Sequence, residues 1–327
     1  MLSNTMKKLD RDNFVETLET HRPPWGDGYY AMYSSLLDGV ITDPALMLLP
    51  IDDHLVHRGD GVFDTGKCVD GALYNFEAHL RRLLRSAAAI GLEWPAGGDD
   101  ILRLTHATIR AAGRRDCSVR VILARGPGSF GVSPYDSPAP ALYIVVYAPG
   151  RVFMKQHPAG AVVRRSNVPA KASEMAAIKN CNYLPNVLMK REAIDWGVDF
   201  VIGFDADGHM TEGATENAGI VTRSGELLFP RLENILAGTT MMRLLELAAA
   251  LVDDGTLTRV AHRDITAEDI RDAAEMLIVG TTINLVAVRE YEGQPIGDGN
   301  PGPVYRRLGN LLEDDIATNP DLRVQLL

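Results

Sequence analysis

The sequence predicts an α/β protein of the α+β, two-domain type, with a smaller N-terminal domain and a larger C-terminal one. Three observations predict this class. Short β-like runs alternate with amphipathic helical stretches along the 327 residues, and no repeat or low-complexity tract interrupts them. The length suits two hydrophobic cores of ordinary size. Strands and helices also follow one another in a mixed order, rather than as strict strand–helix–strand units.

The N-terminal part shows clear local signals. Apolar residues at helical spacing predict a helical extension within residues 1–25, and this segment lacks the apolar core of a signal peptide. Asp70-Gly71 lies between two β-like runs and predicts a hairpin, because both residues tolerate positive φ. From Phe76 apolar residues recur every three or four positions, which predicts a helix that ends near Gly91. A second helix and two strands complete a small α/β domain over residues 26–150.

The remaining chain predicts a linker and a larger domain. Residues 151–157 belong to a stretch rich in Pro, Gly and Ser, which is typical of a connection between domains. The larger domain is predicted over residues 158–327. Its expected elements are a strand at AVVRR, a helix over about 183–196, a hairpin with Asp207-Gly208 at its turn, strands at AGIVTR, ELLFP, 257–262 and 276–280, and helices over about 240–251 and 304–316.

Composition and charge exclude several classes of function. The net charge of −10 gives no general attraction to nucleic acid or anionic lipid. No run approaches the roughly 18 apolar residues of a membrane span. The cysteines, Cys68, Cys117 and Cys181, are too few and too scattered for a disulfide framework or a zinc ribbon. We therefore expect a cytoplasmic protein with no metal, nucleic-acid or membrane partner.

A few polar residues occupy positions that a hydrophobic core would not favour. Lys179 lies at a partly apolar strand-to-helix junction, where burial would lower its pKa and make its amine nucleophilic. An interdomain lysine whose amine reaches water is the alternative. Glu212 follows a hairpin and either points inward or is an ordinary turn glutamate, and Arg82 flanks the apolar stripe of its helix or is simply solvated. Two turns, LAGTT before a helix and GTT at 280–282, offer hydroxyls and backbone N–H groups that suit an anion.

Together these residues match the needs of one cofactor. Pyridoxal 5′-phosphate requires an amine for a Schiff base, an acid beside its pyridine nitrogen, and donors for its phosphate. The segments HRGDGVFDTG, EAHLRRLLRSA, KNCNYLPNVL, DGHMTEGATEN, LAGTT and GTT occur in that order. In this order and spacing the chain resembles the class IV (fold-type IV) pyridoxal-phosphate enzymes from about residue 25 onward, and most closely the plant-type D-amino-acid transaminases.

The resemblance implies a D-amino-acid aminotransferase-like fold, with the cofactor in the cleft between the domains. It implies Lys179 as the Schiff-base lysine and proton carrier, Glu212 as partner of the pyridine nitrogen, and Arg82 as phosphate ligand. It adds Asn182 and Tyr183 near the cofactor's phenolic oxygen. The threonines that it assigns to the phosphate are Thr239, Thr240, Thr281 and Thr282.

The resemblance leaves the substrate open. Arg58 and Arg120 are both candidates for binding a substrate carboxylate, because a guanidinium can grip it through two hydrogen bonds. The favoured activity is transfer of an amino group between a D-amino acid such as D-alanine and a 2-oxo acid. Branched-chain L-amino-acid transamination and pyruvate-releasing aminodeoxychorismate lyase activity are the alternatives. The resemblance also implies a homodimer whose partner subunit completes the substrate pocket.

Overall fold

The computed structural model describes residues 7–20, 24 and 26–327. Its helices are α1 (Arg11–Thr20), α2 (His54–Arg58), α3 (Phe76–Ala89), α4 (Gly97–Ala112), α5 (Phe153–Gln156), α6 (Ser173–Ala176), α7 (Leu184–Asp195), α8 (Thr239–Leu247), α9 (Ala249–Asp253), α10 (Ala267–Asp272) and α11 (Pro303–Thr318). Within the described ranges, none of these helices combines the length and the apolar character that crossing a bilayer requires.

The strands form two separate sheets. The first contains β1 (Tyr29–Ser34), β2 (Gly39–Ile41), β3 (Gly61–Val69), β4 (Ala72–Tyr74), β5 (Cys117–Ala124), β6 (Ala141–Tyr147) and β16 (Arg323–Gln325). The second contains β7 (Ala161–Arg165), β8 (Phe200–Phe204), β9 (Met210–Gly213), β10 (Asn217–Val221), β11 (Glu226–Phe229), β12 (Arg259–His262), β13 (Glu275–Gly280), β14 (Asn284–Tyr291) and β15 (Gln294–Pro295).

The first sheet is antiparallel and has the order β16-β4-β3-β5-β6-β1-β2. Strand β3 lies near its centre, and α3 packs against β3. The predicted hairpin is present, because Val69 pairs with Ala72 and both Asp70 and Gly71 have positive φ. The last strand, β16, returns from the far end of the chain to pair with β4.

The second sheet is mixed. Its path is β12-β11-β10-β13-β14-β7-β8-β9, and β9 also pairs with β10 at Glu212 and Asn217. Through that additional pairing, β9, the last strand of the path, also lies beside β10 near the other end of the path. The β7–β8, β7–β14 and β11–β12 pairs are parallel, and the other pairs are antiparallel.

Most locally encoded elements agree with the sequence predictions. Helix α3 ends one residue before Ile90, α4 corresponds to the second helix predicted in the N-terminal part, at about residues 99–112, and α7 and α11 lie close to their predicted ranges. The predicted helix over 240–251 is divided at Ala248 into α8 and α9. The extension over 1–25 is described in part, as α1. The domain boundaries at 26–150, 151–157 and 158–327 stay a prediction. Strand β16 lies in the predicted C-terminal range but pairs with β4 in the first sheet.

Candidate active site

A cavity of about 220 Å³ lies between the two sheets. On one side it is lined by β3 of the first sheet and by α3, which packs against β3. Phe63 and Thr65 line one wall from alternate positions of β3, because side chains two apart in a strand share a face. The opposite wall comes from the start of α8 and from the turn between β13 and β14. The cavity lining contains eight of the predicted site residues, which come from distant parts of the sequence, namely Arg82, Arg120, Lys179, Tyr183, Glu212, Thr240, Thr281 and Thr282.

Lys179 is held in the cavity wall by its backbone. Its carbonyl accepts a hydrogen bond from the Phe63 N–H at 3.0 Å, and its own N–H donates to Ser86 Oγ of α3 at 3.1 Å. The amine Nζ donates to the hydroxyl of Tyr183 at 3.0 Å. Burial, together with the positive charge of Arg82, lowers the pKa of Lys179 to about 8. A substantial fraction of this amine is therefore neutral near physiological pH.

Glu212 lies at the other end of the cavity, on β9. Its Oε2 accepts the N–H of Leu236 at 3.0 Å, which fixes the carboxylate against the segment that leads into α8. Burial raises the pKa of Glu212. The neighbouring ammonium groups of Lys171 and Lys179 act in the opposite direction, because they favour the charged form. The Glu212 carboxylate can therefore form an ion pair with a cationic nitrogen in the cavity.

Arg82 reaches the cavity from a polar stripe of α3. His79, Arg82 and Ser86 follow one another at helical spacing and are all buried. Arg82 Nε and Nη2 donate to the two carboxylate oxygens of Asp64 at 2.8 and 2.9 Å, and Nη1 donates to the carbonyl of Ala237 at 3.2 Å. Although burial alone would raise the pKa of Asp64, Arg82 and His79 hold it well below its usual range.

Two glycine-threonine turns face each other beside Arg82. Gly238 is the N-cap of α8, and a side chain there would overlap Asn217 Oδ1, so only glycine fits. Thr240 Oγ1 lies 3.3 Å from Thr281 Oγ1 in the turn between β13 and β14, and this contact joins the two turns. The first N–H groups of a helix attract anions. With Arg82, these turns form a site suited to a phosphate.

The structure places three predicted residues away from the cavity lining. The guanidinium of Arg58 donates to the carbonyls of His57 and Phe130, at 3.0 and 2.7 Å. Asn182 is exposed, and its N–H donates to Asn180 Oδ1. Thr239 lies at the start of α8, but its hydroxyl faces His79 Nε2 at 3.3 Å. Arg120, by contrast, lines the cavity and donates through Nε to Thr65 Oγ1 at 3.2 Å.

The cavity also contains residues that the sequence reasoning missed. Asn186 is buried in α7 and donates to the carbonyl of Ala214, while its Oδ1 has no partner among the described residues. Asn217 donates to the carbonyl of Leu236 at 2.9 Å and supports the turn before α8. The sequence signal for Asn186 was its place near the start of the helix predicted over about 183–196, directly after the Lys179 segment. No comparable signal marks Asn217.

The residues present fit pyridoxal 5′-phosphate. One amine with a lowered pKa, one half-buried carboxylate, one buried arginine and two glycine-threonine turns match its aldehyde, ring nitrogen and phosphate. The unpartnered Asn186 Oδ1 is a buried acceptor that a donor in the cavity would satisfy. The cofactor would be held by Lys179, Glu212, Arg82, Thr240, Thr281 and Thr282.

Comparison with known proteins gives consistent matches. A family model described as amino-transferase class IV matches residues 61–291. The chain is 41% identical to a chloroplastic D-amino-acid transaminase of Arabidopsis thaliana over 90% of this chain and 79% of that protein. It is 27% identical to a putative branched-chain-amino-acid aminotransferase of Methanocaldococcus jannaschii over 85% of this chain and 94% of that protein.

A solved structure shows the same fold. The branched-chain amino acid aminotransferase of T.th., solved with pyridoxamine 5′-phosphate, superimposes with a TM-score of 0.84. The match covers 91% of this chain and 99% of that chain, at 21% identity. The expected fold-type IV architecture is therefore confirmed.

Proposed function

This chain belongs to the class IV aminotransferase family, whose enzymes use pyridoxal 5′-phosphate, and we propose that it transfers the amino group of a D-amino acid such as D-alanine to a 2-oxo acid. The observation that carries the chemistry is the convergence of Lys179, Glu212 and Arg82 on one cavity. The preference for a D-amino acid is supported by the identity of 41% to a D-amino-acid transaminase.

The side chains of the cavity divide the work. When bound, pyridoxal 5′-phosphate supplies an electron sink that accommodates the charge left by a departing α-proton. Lys179 Nζ, with a pKa of about 8, is able both to accept and to return a proton near neutral pH. Glu212 would keep a proton on the ring nitrogen, and Arg82 with the two turns would bind the phosphate. Tyr183, which accepts a hydrogen bond from Lys179, orients the amine.

We propose Arg120, rather than Arg58, as the ligand of the substrate carboxylate. The guanidinium of Arg120 stacks 4.9 Å from the Phe63 ring at the edge of the cavity, and its one side-chain hydrogen bond to the described residues is that to Thr65, which leaves its other donors for a ligand. Arg120→Met should raise KM for D-alanine by about tenfold or more, the effect of losing a hydrogen bond to a charged group. Arg58→Met is the matched control, and a larger KM effect there would reverse the assignment.

The lysine assignment has a matched control in the same molecule. Lys67 is also partly buried, has a pKa lowered by burial to about 8, and donates from Nζ to Asn284 Oδ1 at 2.5 Å. Lys179→Ala should remove the visible absorbance band of the bound cofactor and almost all turnover, whereas Lys67→Ala should retain both. Borohydride reduction followed by peptide mapping should place the cofactor tag on Lys179. A tag on Lys67 or on no lysine would overturn the proposal.

The reaction itself is tested with defined substrates. Purified protein is mixed with D-alanine and 2-oxoglutarate, the pyruvate formed is measured, and the configuration of the glutamate formed is determined. We expect D-alanine to be consumed in preference to L-leucine. Preference for L-leucine would favour the branched-chain activity. Pyruvate release from aminodeoxychorismate, with no change in the cofactor band, would favour the lyase.

We also propose a homodimer in the cytoplasm. Large apolar side chains are exposed between residues 36 and 51, at Leu36, Leu37, Val40, Leu46, Leu48, Leu49 and Ile51, which supports an association surface. The three cysteines are free thiols, in keeping with a reducing compartment. Light scattering coupled to size exclusion should give twice the chain mass of 35.7 kDa, and the mass of a single chain would contradict the dimer.

A further inference from the structure

We propose that Asp64 is a positioning residue for the phosphate group of the cofactor, acting on Arg82 directly and on the start of α8 through His79. This inference rests on the proposed function, because it concerns how the same cavity binds its cofactor. Asp64 does not line the cavity. It lies on the opposite face of β3 from Phe63 and Thr65, and therefore behind the donors that would touch the phosphate.

The Asp64 carboxylate uses both oxygens for four hydrogen bonds. Besides the two bonds from Arg82, Oδ1 accepts from His79 Nδ1 at 2.7 Å and from the Thr65 N–H at 2.8 Å. The side chains of Asp64 and Arg82 are 1% and 7% exposed, so water does not compete for these bonds. Two parallel bonds between planar groups fix the plane of the guanidinium. The remaining donor edge of Arg82 is thereby directed at Ala237 and the cavity.

His79 links the Asp64 carboxylate to the start of α8, where the phosphate is proposed to bind. Burial lowers the pKa of His79 although the nearby Asp64 carboxylate acts in the opposite direction. Burial therefore favours the neutral ring. A neutral ring with its proton on Nδ1 donates to Asp64 and leaves Nε2 to accept the hydroxyl proton of Thr239. The hydroxyl of Thr239 is therefore engaged away from the cavity. Thr239 contributes its backbone N–H at the helix start, while Thr240 contributes its hydroxyl.

Charge and geometry make opposite demands on Asp64. A carboxylate behind the site repels a phosphate, so by charge alone its removal would tighten cofactor binding. By geometry its removal would free the Arg82 guanidinium and the His79 ring to adopt other orientations, and would weaken binding. On this proposal geometry dominates, because two of the three residues that donate to the carboxylate, Arg82 and Thr65, line the cavity and the third, His79, contacts the start of α8. Whether removal of the Asp64 carboxylate weakens or tightens cofactor binding therefore shows which of the two effects is larger.

The test compares two ligands on the full-length apoenzyme. Dissociation constants are measured for pyridoxal 5′-phosphate and for pyridoxal, which lacks the phosphate. The constant for pyridoxal divided by the constant for pyridoxal 5′-phosphate reports the phosphate contacts alone. Asp64→Asn should reduce this ratio by about tenfold while leaving the affinity for pyridoxal nearly unchanged. Asp60→Asn is the matched control, because Asp60 also accepts from an arginine and a histidine, but its arginine, Arg125, does not line the cavity as Arg82 does. Its ratio should remain that of the wild type.

A second variant separates charge from geometry and guards against misfolding. Asp64→Glu keeps the charge but moves the carboxylate by one methylene, and it should reduce the ratio by about threefold. An unchanged ratio in the Asn or the Glu variant, or tighter binding of pyridoxal 5′-phosphate by Asp64→Asn, would overturn the inference. If the wild type binds both ligands equally, the proposed function fails and this inference fails with it. A wild type that discriminates between the ligands, with variants that match it, refutes the inference alone.

Discussion

The molecule contains two clusters of the same composition, built on aspartates four residues apart, one directly before β3 and one within it. In each, an aspartate accepts two hydrogen bonds from an arginine and one from Nδ1 of a histidine. The cavity cluster consists of Asp64, Arg82 and His79, and the outer cluster consists of Asp60, Arg125 and His54.

The clusters differ in burial and in what lies beyond them. In the outer cluster Arg125 and Asp60 are 13% and 21% exposed, and Arg125 donates its remaining protons to the carbonyls of Ile90 and Gly91. His54 Nε2 has no partner within the described ranges. In the cavity cluster the corresponding atoms lead to the segment before α8 and to Thr239. The same three residue types thus bind the segment that follows α3 in one cluster and support the proposed phosphate site in the other.

The comparison shows that residue types alone do not identify the site. Both clusters satisfy the rule that buried charges are paired and hydrogen-bonded. The distinguishing feature is whether the arginine retains a donor edge on a cavity. We therefore expect variants of the cavity cluster to change cofactor binding, and variants of the outer cluster to change stability alone.

The largest expected effect comes from removing each arginine. Arg82→Ala should weaken binding of pyridoxal 5′-phosphate by about 100-fold, because it removes a charged donor and leaves Asp64 buried without its counter-ion. Arg125→Ala should change the affinity by less than about threefold, although it should lower the free energy of unfolding by roughly 2 kcal/mol or more. Cofactor titration and urea unfolding measure the two quantities. Equal losses of affinity would remove the distinction between the clusters.

The pH dependence of stability tests the deep burial of the cavity cluster. The folded-state pKa of Asp64 lies below its unfolded value of about 3.9. Its ionised form therefore stabilises the fold fully above about pH 4, and this stabilisation is lost as the pH falls toward the folded value. Urea unfolding of the apoenzyme between about pH 6 and pH 3 should show a shallower pH dependence for Asp64→Asn than for the wild type. Parallel curves would contradict the burial argument.

The charge state of Lys179 gives a smaller but more specific effect. After burial, the positive charge of Arg82 is the largest contribution that lowers the pKa of Lys179. Arg82→Met should therefore raise that pKa above about 8, whereas Arg125→Met should leave it in place. Competitive labelling of the apoenzyme with acetic anhydride across a pH series, read out by peptide mass spectrometry, measures it. Lys67, whose pKa is also lowered by burial, serves as the internal comparison, because its labelling should be the same in both variants.

The sequence could predict what depends on local chemistry. Asp70-Gly71 indicated a hairpin because positive φ is a property of those two residues, and the periodicity after Phe76 indicated α3 for the same kind of reason. Lys179, Glu212 and Arg82 stood out because their surroundings are unusual for charged residues. The structure brings these three side chains to one cavity.

The rest depends on contacts between distant segments. No local pattern distinguishes Asp60 from Asp64, because the difference arises from where Arg82 and Arg125 point in the fold. The hydroxyl of Thr239 is turned away from the cavity by His79, 160 residues earlier in the chain. Arg120 lies on the cavity because β5 pairs with β3, which places it opposite Thr65. Sequence reasoning had no means of ranking it above Arg58.

The smallest expected effect concerns the two histidines. Asparagine can reproduce the Nδ1 donor of a histidine but not an acceptor at Nε2. His79→Asn should therefore keep the bond to Asp64, lose the bond to Thr239, and weaken pyridoxal 5′-phosphate binding by roughly threefold to tenfold, the range for one neutral hydrogen bond. His54→Asn should leave the affinity unchanged, because His54 Nε2 has no partner to lose within the described part of the chain.

The control for this pair is the ligand that lacks a phosphate. Both histidine variants should bind pyridoxal as the wild type does, since neither ring contacts the part of the cavity near Lys179. If His79→Asn weakened pyridoxal as much as pyridoxal 5′-phosphate, His79 would support the fold rather than the helix start. If His54→Asn matched His79→Asn in the phosphate-dependent ratio, the two clusters would be equivalent. For the histidines, the difference between the clusters lies in the contact from His79 to Thr239, because His54 Nε2 has no partner of that kind among the described residues.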